Sequence, residues 1–146
     1  MPVSGGISLP DANVWLALVF SDHVHHAKAK AWFDAQADGS CAFCRLTQMA
    51  LLRHLTNAKI MGHFLQNQQE AWRSFDRLAN DPRVVFLPEP PSAEASFRTF
   101  TQALSPAHAL WTDAYLAAAA VGSQSRLVTF DQGFSRFSGL EVLILS

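Results

Sequence analysis

The sequence predicts an α/β fold in which helices cover both faces of a short, mostly parallel sheet. Strand-like and helix-like segments alternate along the chain, an order that is typical of parallel β-α-β units. The strand-like segments are short and apolar, as strands buried on both faces are. With 146 residues, of which 49% are hydrophobic and 16% charged, the chain can bury a core without disulfides. We therefore expect residues 1–146 to form a single domain.

The first half of the chain is predicted to hold two strands and three helices. Pro10 donates no backbone hydrogen bond and therefore suits a strand end. An apolar segment follows Pro10. In the segment after that, apolar residues recur at helical spacing, and Asp38 and Gly39 then form a turn. A loop or a frayed turn is predicted over 57–63. The strands are predicted over 7–9 and 40–43, and the helices over 12–20, 25–37 and 46–55.

The second half continues the same alternation. Ser92 is predicted to cap a helix whose first turn carries Glu94. Thr112 is predicted to cap an alanine-rich helix that ends near Val121, because Gly122 is a residue type favoured just after helix ends. The other predictions are helices over 66–78 and 92–104, and strands over 83–87, 126–130 and 142–145.

Three aspartates, Asp11, Asp113 and Asp131, follow strand-like segments or open helix-like ones. Taken singly, each has an ordinary role as a cap or as a first-turn acid. The carboxyl ends of parallel strands meet at one edge of a sheet, so we expect the three carboxylates to converge there. A divalent cation relieves the repulsion of such a cluster, polarises a phosphate oxygen and lowers the pKa of a bound water. The sequence therefore predicts a site for Mg²⁺ or Mn²⁺.

Two polar residues are candidates for supporting this site. Asn13 lies two residues after Asp11, and Thr129 lies two residues before Asp131. Either could orient a carboxylate or a bound water. Their alternative roles are turn chemistry for Asn13 and strand propensity for Thr129.

Other polar clusters carry weaker signals. A group of histidines before the second helix is expected to be a solvated helix start rather than a metal site. Scattered basic residues are candidates for contacts with an RNA backbone, with surface solubility as the equal alternative. The histidines are His23, His25 and His26, and the basic residues are Arg45, Arg53, Lys59 and Arg136.

Charge and hydropathy narrow the classes of function. The formal net charge is −1, so no broad basic field gathers nucleic acid from a distance, and any such binding must be local. The N-terminus, residues 1–6, lacks the basic start and long apolar run of a signal peptide. The most apolar stretches, 14–20 and 114–121, are far shorter than the ~20 residues that span a bilayer. We expect a cytoplasmic protein with no membrane partner.

Three blocks of sequence resemble the signature blocks of PIN-domain ribonucleases, and most closely the VapC-like toxins of type II toxin–antitoxin systems. The blocks are DANVWL at 11–16, TDAYLAA at 112–118 and VTFDQGF at 128–134. The resemblance implies a three-layer α/β/α sandwich and a Mg²⁺- or Mn²⁺-dependent endoribonuclease that hydrolyses RNA, often tRNA or rRNA. It also implies a cognate antitoxin and a homodimer. Asp11, Asp113 and Asp131 match the acidic metal-site positions of the family.

One departure from the family pattern concerns the helix after the second strand. The family usually carries a further acid there, most often Glu, whereas segment 44–53 contains none and the first Glu of the chain is Glu70. Either Gln48 or Ala50 stands at this position. Gln48 could bond a metal-bound water but brings no charge. We expect weaker metal affinity and either one tightly held ion rather than two, or a second ion recruited only with the substrate phosphate.

Two alternatives to the nuclease stay open. The missing acid is compatible with a PIN-like domain that binds RNA or a partner with little or no cleavage. A phosphatase of the HAD-like class would use Asp11 as a nucleophile, but its motif needs a second acid two residues later, where this chain has Asn13.

Overall fold

A computed structural model describes residues 6–146 and contains one five-stranded parallel sheet in that range. The prediction that the N-terminus is not a signal peptide rests mainly on residues 1–5, which lie outside the described part of the chain. The strands are β1 (Ser8–Pro10), β2 (Cys41–Phe43), β3 (Val84–Phe86), β4 (Arg126–Thr129) and β5 (Val142–Ile144). They lie in the order β3-β2-β1-β4-β5, and every neighbouring pair is parallel. The strand order reverses between β1 and β4, which is where α/β sheets bind ligands.

Helices cover both faces of the sheet, so the predicted three-layer α/β/α sandwich is confirmed. One face packs against α6 and α7, and the other against α1, α2, α3 and α5. The helices are α1 (Ala12–Val19), α2 (His26–Asp34), α3 (Arg45–Leu55), α4 (Ala58–Met61), α5 (Gln68–Ala79), α6 (Ala93–Phe100) and α7 (Leu110–Gly122). None of the helices within 6–146 is long and apolar enough to cross a membrane.

Successive strand residues point to opposite faces and divide the core into layers. In β2, Ala42 packs toward α7, whereas Cys41 and Phe43 pack toward the opposite helices. Trp15 of α1 is fully buried and stacks on Phe43, with ring centroids 4.0 Å apart. Leu127 of β4 joins the α7 side. Because both faces of the central strands are buried, the carboxyl edge of the sheet is the part that remains open for chemistry.

Several predicted boundaries need correction. Helix α7 begins at Leu110 and not after Thr112, because a turn in which the Leu110 N–H bonds the carbonyl of Ala107 leads directly into it. Its N-cap is Ala109, which offers no side-chain cap. The predicted loop over 57–63 contains the short α4, whose N-cap Asn57 accepts a hydrogen bond from the Lys59 N–H at 3.0 Å.

The helix predicted over 92–104 is also shorter than expected. It ends at Phe100, and the Thr101 hydroxyl donates to the carbonyl of Phe97 at 2.8 Å, which closes the last turn. Ser92 is its N-cap but makes no side-chain capping bond. The other predicted helices and strands are present, with ends that shift by three residues or fewer.

Candidate active site

Asp11 lies directly after β1 and is the N-cap of α1. Its Oδ1 accepts the Val14 N–H at 3.1 Å, so the capping role expected for an Asp after a strand is present. The side chain is nevertheless placed for more than capping, because Asp11 is only 7% exposed and its second oxygen faces Thr129. Burial raises the pKa of Asp11 to about 6, against the lowering effect of the bonds from Thr129 and Val14; the charge of Asp113 adds to the rise.

Thr129 is the last residue of β4 and connects two of the aspartates. Its buried hydroxyl donates to Oδ2 of Asp11 at 2.5 Å and accepts the Asp131 N–H at 3.0 Å. The Asp11 N–H also bonds the carbonyl of Val128 at 2.9 Å, which joins the ends of β1 and β4. The two strand ends are thereby held together at the reversal point of the sheet.

Asp113 reaches the same edge of the sheet from the first turn of α7. Burial raises the pKa of the Asp113 carboxyl, the Arg136 guanidinium opposes that rise, and the charge of Asp131 adds to it. The Arg136 Nη2 lies 3.4 Å from Oδ2 of Asp113. The Asp113 carboxylate therefore interacts by electrostatic repulsion with the carboxylates of both other predicted site residues, Asp11 and Asp131.

A cavity of about 230 Å³ lies between α1, α3 and α7, and we refer to it as the carboxylate cavity. Asp11 and Asp113 both line it, so two of the three predicted aspartates face one space. Thr112, which does not cap α7, contributes to the same wall. The lining residues are Asp11, Ala12, Asn13, Leu46, Thr47, Ala50, Arg53, His54, Thr112, Asp113, Leu116 and Phe134.

The face of α3 that borders this cavity is neutral to basic. Ala50, Arg53 and His54 line the cavity at the i, i+3, i+4 spacing that puts residues on one helix face. Gln48 lies elsewhere: it is buried, and its Oε1 accepts a hydrogen bond from Nη1 of Arg45 at 2.5 Å. Of the two candidates for the missing acidic position, Ala50 is the one that borders Asp11 and Asp113.

Asp131 lies on the other side of the reversal point. It is the N-cap of a 3₁₀ turn, Gln132–Arg136, and its Oδ1 accepts the Gly133 N–H at 2.8 Å. Asp131 lines a separate cavity, which shares Asn13 with the carboxylate cavity. The exposed Asn13 side chain thus stands between the two spaces.

Sequence reasoning did not find every residue of the site. His54 was not among its candidates, although its spacing from Ala50 on a helix was visible in the sequence. Arg136 was a candidate either for contact with an RNA backbone or for surface solubility, and in the structure its charged partner is Asp113. That pairing joins residues 23 positions apart on different elements, and no local pattern signals it.

An all-parallel sheet with paired carboxylates at its reversal point defines an α/β protein with an acidic site at the carboxyl edge of the sheet. The PIN domain family matches residues 8–140. The chain is 43% identical over 144 residues to Ribonuclease VapC41 of Mycobacterium tuberculosis, covering 94% of this chain and 98% of that protein. The chain therefore belongs to the PIN domain family, in its VapC-like branch.

Solved structures with the same fold agree with this assignment. VapC20 of Mycobacterium tuberculosis, described as a toxin that cleaves the sarcin–ricin loop, superposes with a TM-score of 0.64 at 13% identity, covering 91% of this chain and 98% of that one. A toxin–antitoxin complex from Klebsiella pneumoniae gives a TM-score of 0.60 at 18% identity, covering 93% and 95%. At these identities the likeness concerns the fold.

Divalent-metal dependence is general among VapC-type PIN ribonucleases. Among residues 6–146, no three His, Cys, Asp or Glu side chains form a complete ligand cluster. Magnesium usually keeps several waters and takes only one or two protein carboxylates together with substrate phosphates. The carboxylate pair of Asp11 and Asp113, with its mutual repulsion and oxygen donors, fits a hard cation of this kind.

Proposed function

We propose that this protein is a metal-dependent endoribonuclease that hydrolyses RNA as the toxin of a toxin–antitoxin pair. The observation that carries the proposal is the pair of carboxylates, Asp11 and Asp113, which share one cavity at the reversal point of a PIN-fold sheet. The 43% identity to a ribonuclease over nearly the whole chain supports the same activity.

Mg²⁺ or Mn²⁺ is the cation proposed for this site. Asp11 and Asp113 would hold it, with Asp131 contributing from the adjoining side of Asn13. When bound, such a cation supplies a lowered pKa for its water and charge stabilisation at the phosphate. Thr129 orients the Asp11 carboxylate through its hydroxyl, because Oδ2 cannot rotate away without losing that bond.

The basic face of α3 gives the substrate phosphate a second partner. Arg53 is exposed, lines the carboxylate cavity, and makes no side-chain hydrogen bond or ion pair with other residues of 6–146. A guanidinium is well suited to a phosphodiester because it can donate two parallel hydrogen bonds. Ala50, one of the two candidates for the missing acidic position, brings no negative charge that would pair with Arg53. We therefore assign RNA phosphate binding to Arg53.

An antitoxin protein is the proposed partner of this protein. The cytoplasm, where the RNA substrate lies, is the proposed compartment. Relatives in the toxin–antitoxin complexes support the partner. A tRNA or rRNA is the proposed substrate, and the sarcin–ricin activity of VapC20 is one example within the fold. A homodimer is the proposed assembly of the toxin itself.

A phosphatase that uses Asp11 as its nucleophile receives less support. Both carboxylate oxygens of Asp11 already accept hydrogen bonds, from the Val14 N–H and from the Thr129 hydroxyl. Such bonds reduce nucleophilicity, and Asn13 does not provide the second acid that this mechanism needs.

Cleavage of total RNA tests the proposal. Wild-type protein is expected to cut RNA with Mg²⁺ or Mn²⁺ and to stop when EDTA is added. The substitution Asp113→Asn is expected to abolish cutting, whereas Asp22→Asn at an exposed aspartate leaves it intact. Cutting that ignores EDTA and requires the 2′-hydroxyl at the cleaved position would contradict the metal–water mechanism. No cutting by folded, metal-loaded wild type would favour the non-catalytic alternative.

A further inference from the structure

A second cavity adjoins the carboxylate cavity across Asn13. It has a volume of about 350 Å³ and is lined by Asn13, His23, His25, Phe130 and Asp131. It is an open depression at the surface rather than an enclosed pocket. Because Asp131 belongs to the predicted metal site and Asn13 lines both cavities, a molecule that occupies this space lies next to the reacting phosphate.

One wall of this cavity is aromatic. The rings of His25 and Phe130 stack with centroids 4.5 Å apart and planes inclined by 25°. Both residues are only partly buried, so the histidine cluster before α2 is not simply a solvated helix start. Unpaired RNA bases stack on aromatic and histidine rings in many complexes. The wall therefore offers the kind of surface that a base uses.

His23 lines the same space and carries a ring N–H that can act as a hydrogen-bond donor. Its Nδ1 accepts the His25 N–H at 3.0 Å, so the proton of the neutral ring is on Nε2. Burial lowers the pKa of His23, and the neighbouring His25 and His26 lower it further. The ring of His26 makes a different contact, since its Nδ1 lies 2.7 Å from the carbonyl oxygen of Ala17.

The charges of the lining favour a base over a phosphate. Asp131 brings a carboxylate, which repels a phosphate, and no Lys or Arg lines the cavity. Asn13 supplies both donor and acceptor atoms, and His23 supplies a donor, so a planar group with a polar edge finds partners. An uncharged nucleobase has that chemistry.

We propose that this second cavity is a nucleobase subsite that holds an unpaired RNA base beside the cleaved phosphate. The base stacks against the His25–Phe130 pair and bonds to Asn13 and His23. The proposal rests on the proposed function, since it names where the substrate of that same site is read. It implies that the enzyme selects single-stranded or loop RNA, whose bases are free to leave the stack.

Binding to a matched pair of RNAs tests the subsite. A short labelled single-stranded RNA of mixed sequence is compared, in EDTA, with the same RNA carrying abasic sites, which keeps every phosphate. Phe130→Leu is expected to weaken binding of the mixed RNA at least about 5-fold, because base–aromatic stacking is lost, and to leave the abasic RNA unchanged. Phe64→Leu is the control: Phe64 is 45% exposed, lies beside His63 with centroids 4.3 Å apart, and lines neither cavity.

Equal binding of the mixed RNA by wild type and Phe130→Leu would overturn the subsite, as would an equal loss with both RNAs. If Phe130→Leu does not fold, the wild-type protein is titrated with the four nucleosides while the ring protons of His23 and His25 are followed by NMR. Shifts of these signals support the subsite, and their constancy overturns it. If wild-type protein cuts RNA but shows no base-dependent binding, only the subsite proposal is overturned. If wild-type protein neither binds nor cuts RNA, the proposed function is overturned as well.

Discussion

The hydroxyl of Thr129 donates a hydrogen bond to Oδ2 of Asp11 across 118 positions of sequence, at 2.5 Å. The same hydroxyl accepts the Asp131 N–H. One buried threonine therefore holds two acidic segments in register at the point where the strand order reverses. Each carboxylate also accepts a local backbone N–H, from Val14 for Asp11 and from Gly133 for Asp131, and Thr129 adds a link between the two segments.

Replacing Thr129 by Val should weaken both stability and activity. The change leaves Oδ2 of Asp11 and the Asp131 N–H each without the hydrogen-bond partner that Thr129 supplies, which costs about 1–3 kcal/mol in free energy of unfolding. RNA cleavage should fall about 10- to 100-fold, the usual effect of losing a residue that orients a metal ligand. Urea unfolding and cleavage rates measure the two effects. Thr129→Ser keeps the hydroxyl and should retain most of both; a serine variant as impaired as the valine variant would show that the hydroxyl is not the cause.

The buried Asp11 should make the metal-free protein less stable as pH rises. Its folded pKa is about 6, above the unfolded value of about 3.9, so the folded chain binds the proton more tightly. Stability present below pH ~4 is therefore lost as pH rises through ~6, by about 3 kcal/mol if the full shift is realised. Urea unfolding in EDTA at several pH values measures it. Asp11→Asn should remove this loss and Asp22→Asn should keep it; parallel pH profiles for wild type and Asp11→Asn would contradict the assignment.

Restoring an acid on α3 should strengthen metal binding. Ala50→Glu adds a carboxylate to the wall that already carries Asp11 and Asp113, and the added charge should tighten Mn²⁺ binding about tenfold or more, as an added oxygen ligand does. Isothermal titration with Mn²⁺ measures the change. Met49→Glu is the matched control, because Met49 is the adjacent residue, is 48% exposed and does not line the cavity. Equal tightening by both variants would mean that only net charge matters.

Removing the guanidinium of Arg53 should lower the salt dependence of RNA binding. One lost phosphate contact reduces the slope of log K against log salt by about 0.7 for a single strand. Fluorescence anisotropy with a labelled RNA, measured in EDTA at several salt concentrations, gives this slope for Arg53→Gln. Arg73→Gln on α5 is the control, since Arg73 is exposed and lines neither cavity. Unchanged slope in Arg53→Gln would exclude the phosphate contact.

Much of the fold follows from local chemistry. The alternation of apolar and amphipathic segments was enough to predict the parallel sheet, and the central strands β1 and β2 and most of β4 are indeed buried. The predicted start of α7 was wrong because Thr112 is a good cap by residue type, whereas the turn at Ala107–Leu110 sets the helix start three residues earlier. Turn geometry of this kind depends on packing of the preceding loop, which composition does not encode.

The site was predictable in part for the same reason. Asp11 and Asp131 follow neighbouring parallel strands, whose ends lie at one edge of the sheet. The expected convergence of all three carboxylates in one space is not seen: Asp11 shares its cavity with Asp113 of α7, and Asp131 lines the adjoining one. The contribution of α3 was not predictable to the residue, because Gln48 and Ala50 are both compatible with the family pattern. Only the packed helix shows that Gln48 is buried against Arg45 while Ala50 faces the carboxylates.

Titration with Mn²⁺ tests most directly whether Asp11 and Asp113 act as one cation site. We expect wild-type protein to bind a single tight ion in calorimetry, Asp11→Asn and Asp113→Asn each to lose that binding, and Asp22→Asn to keep it. Retention of wild-type Mn²⁺ affinity in both site variants would contradict the account.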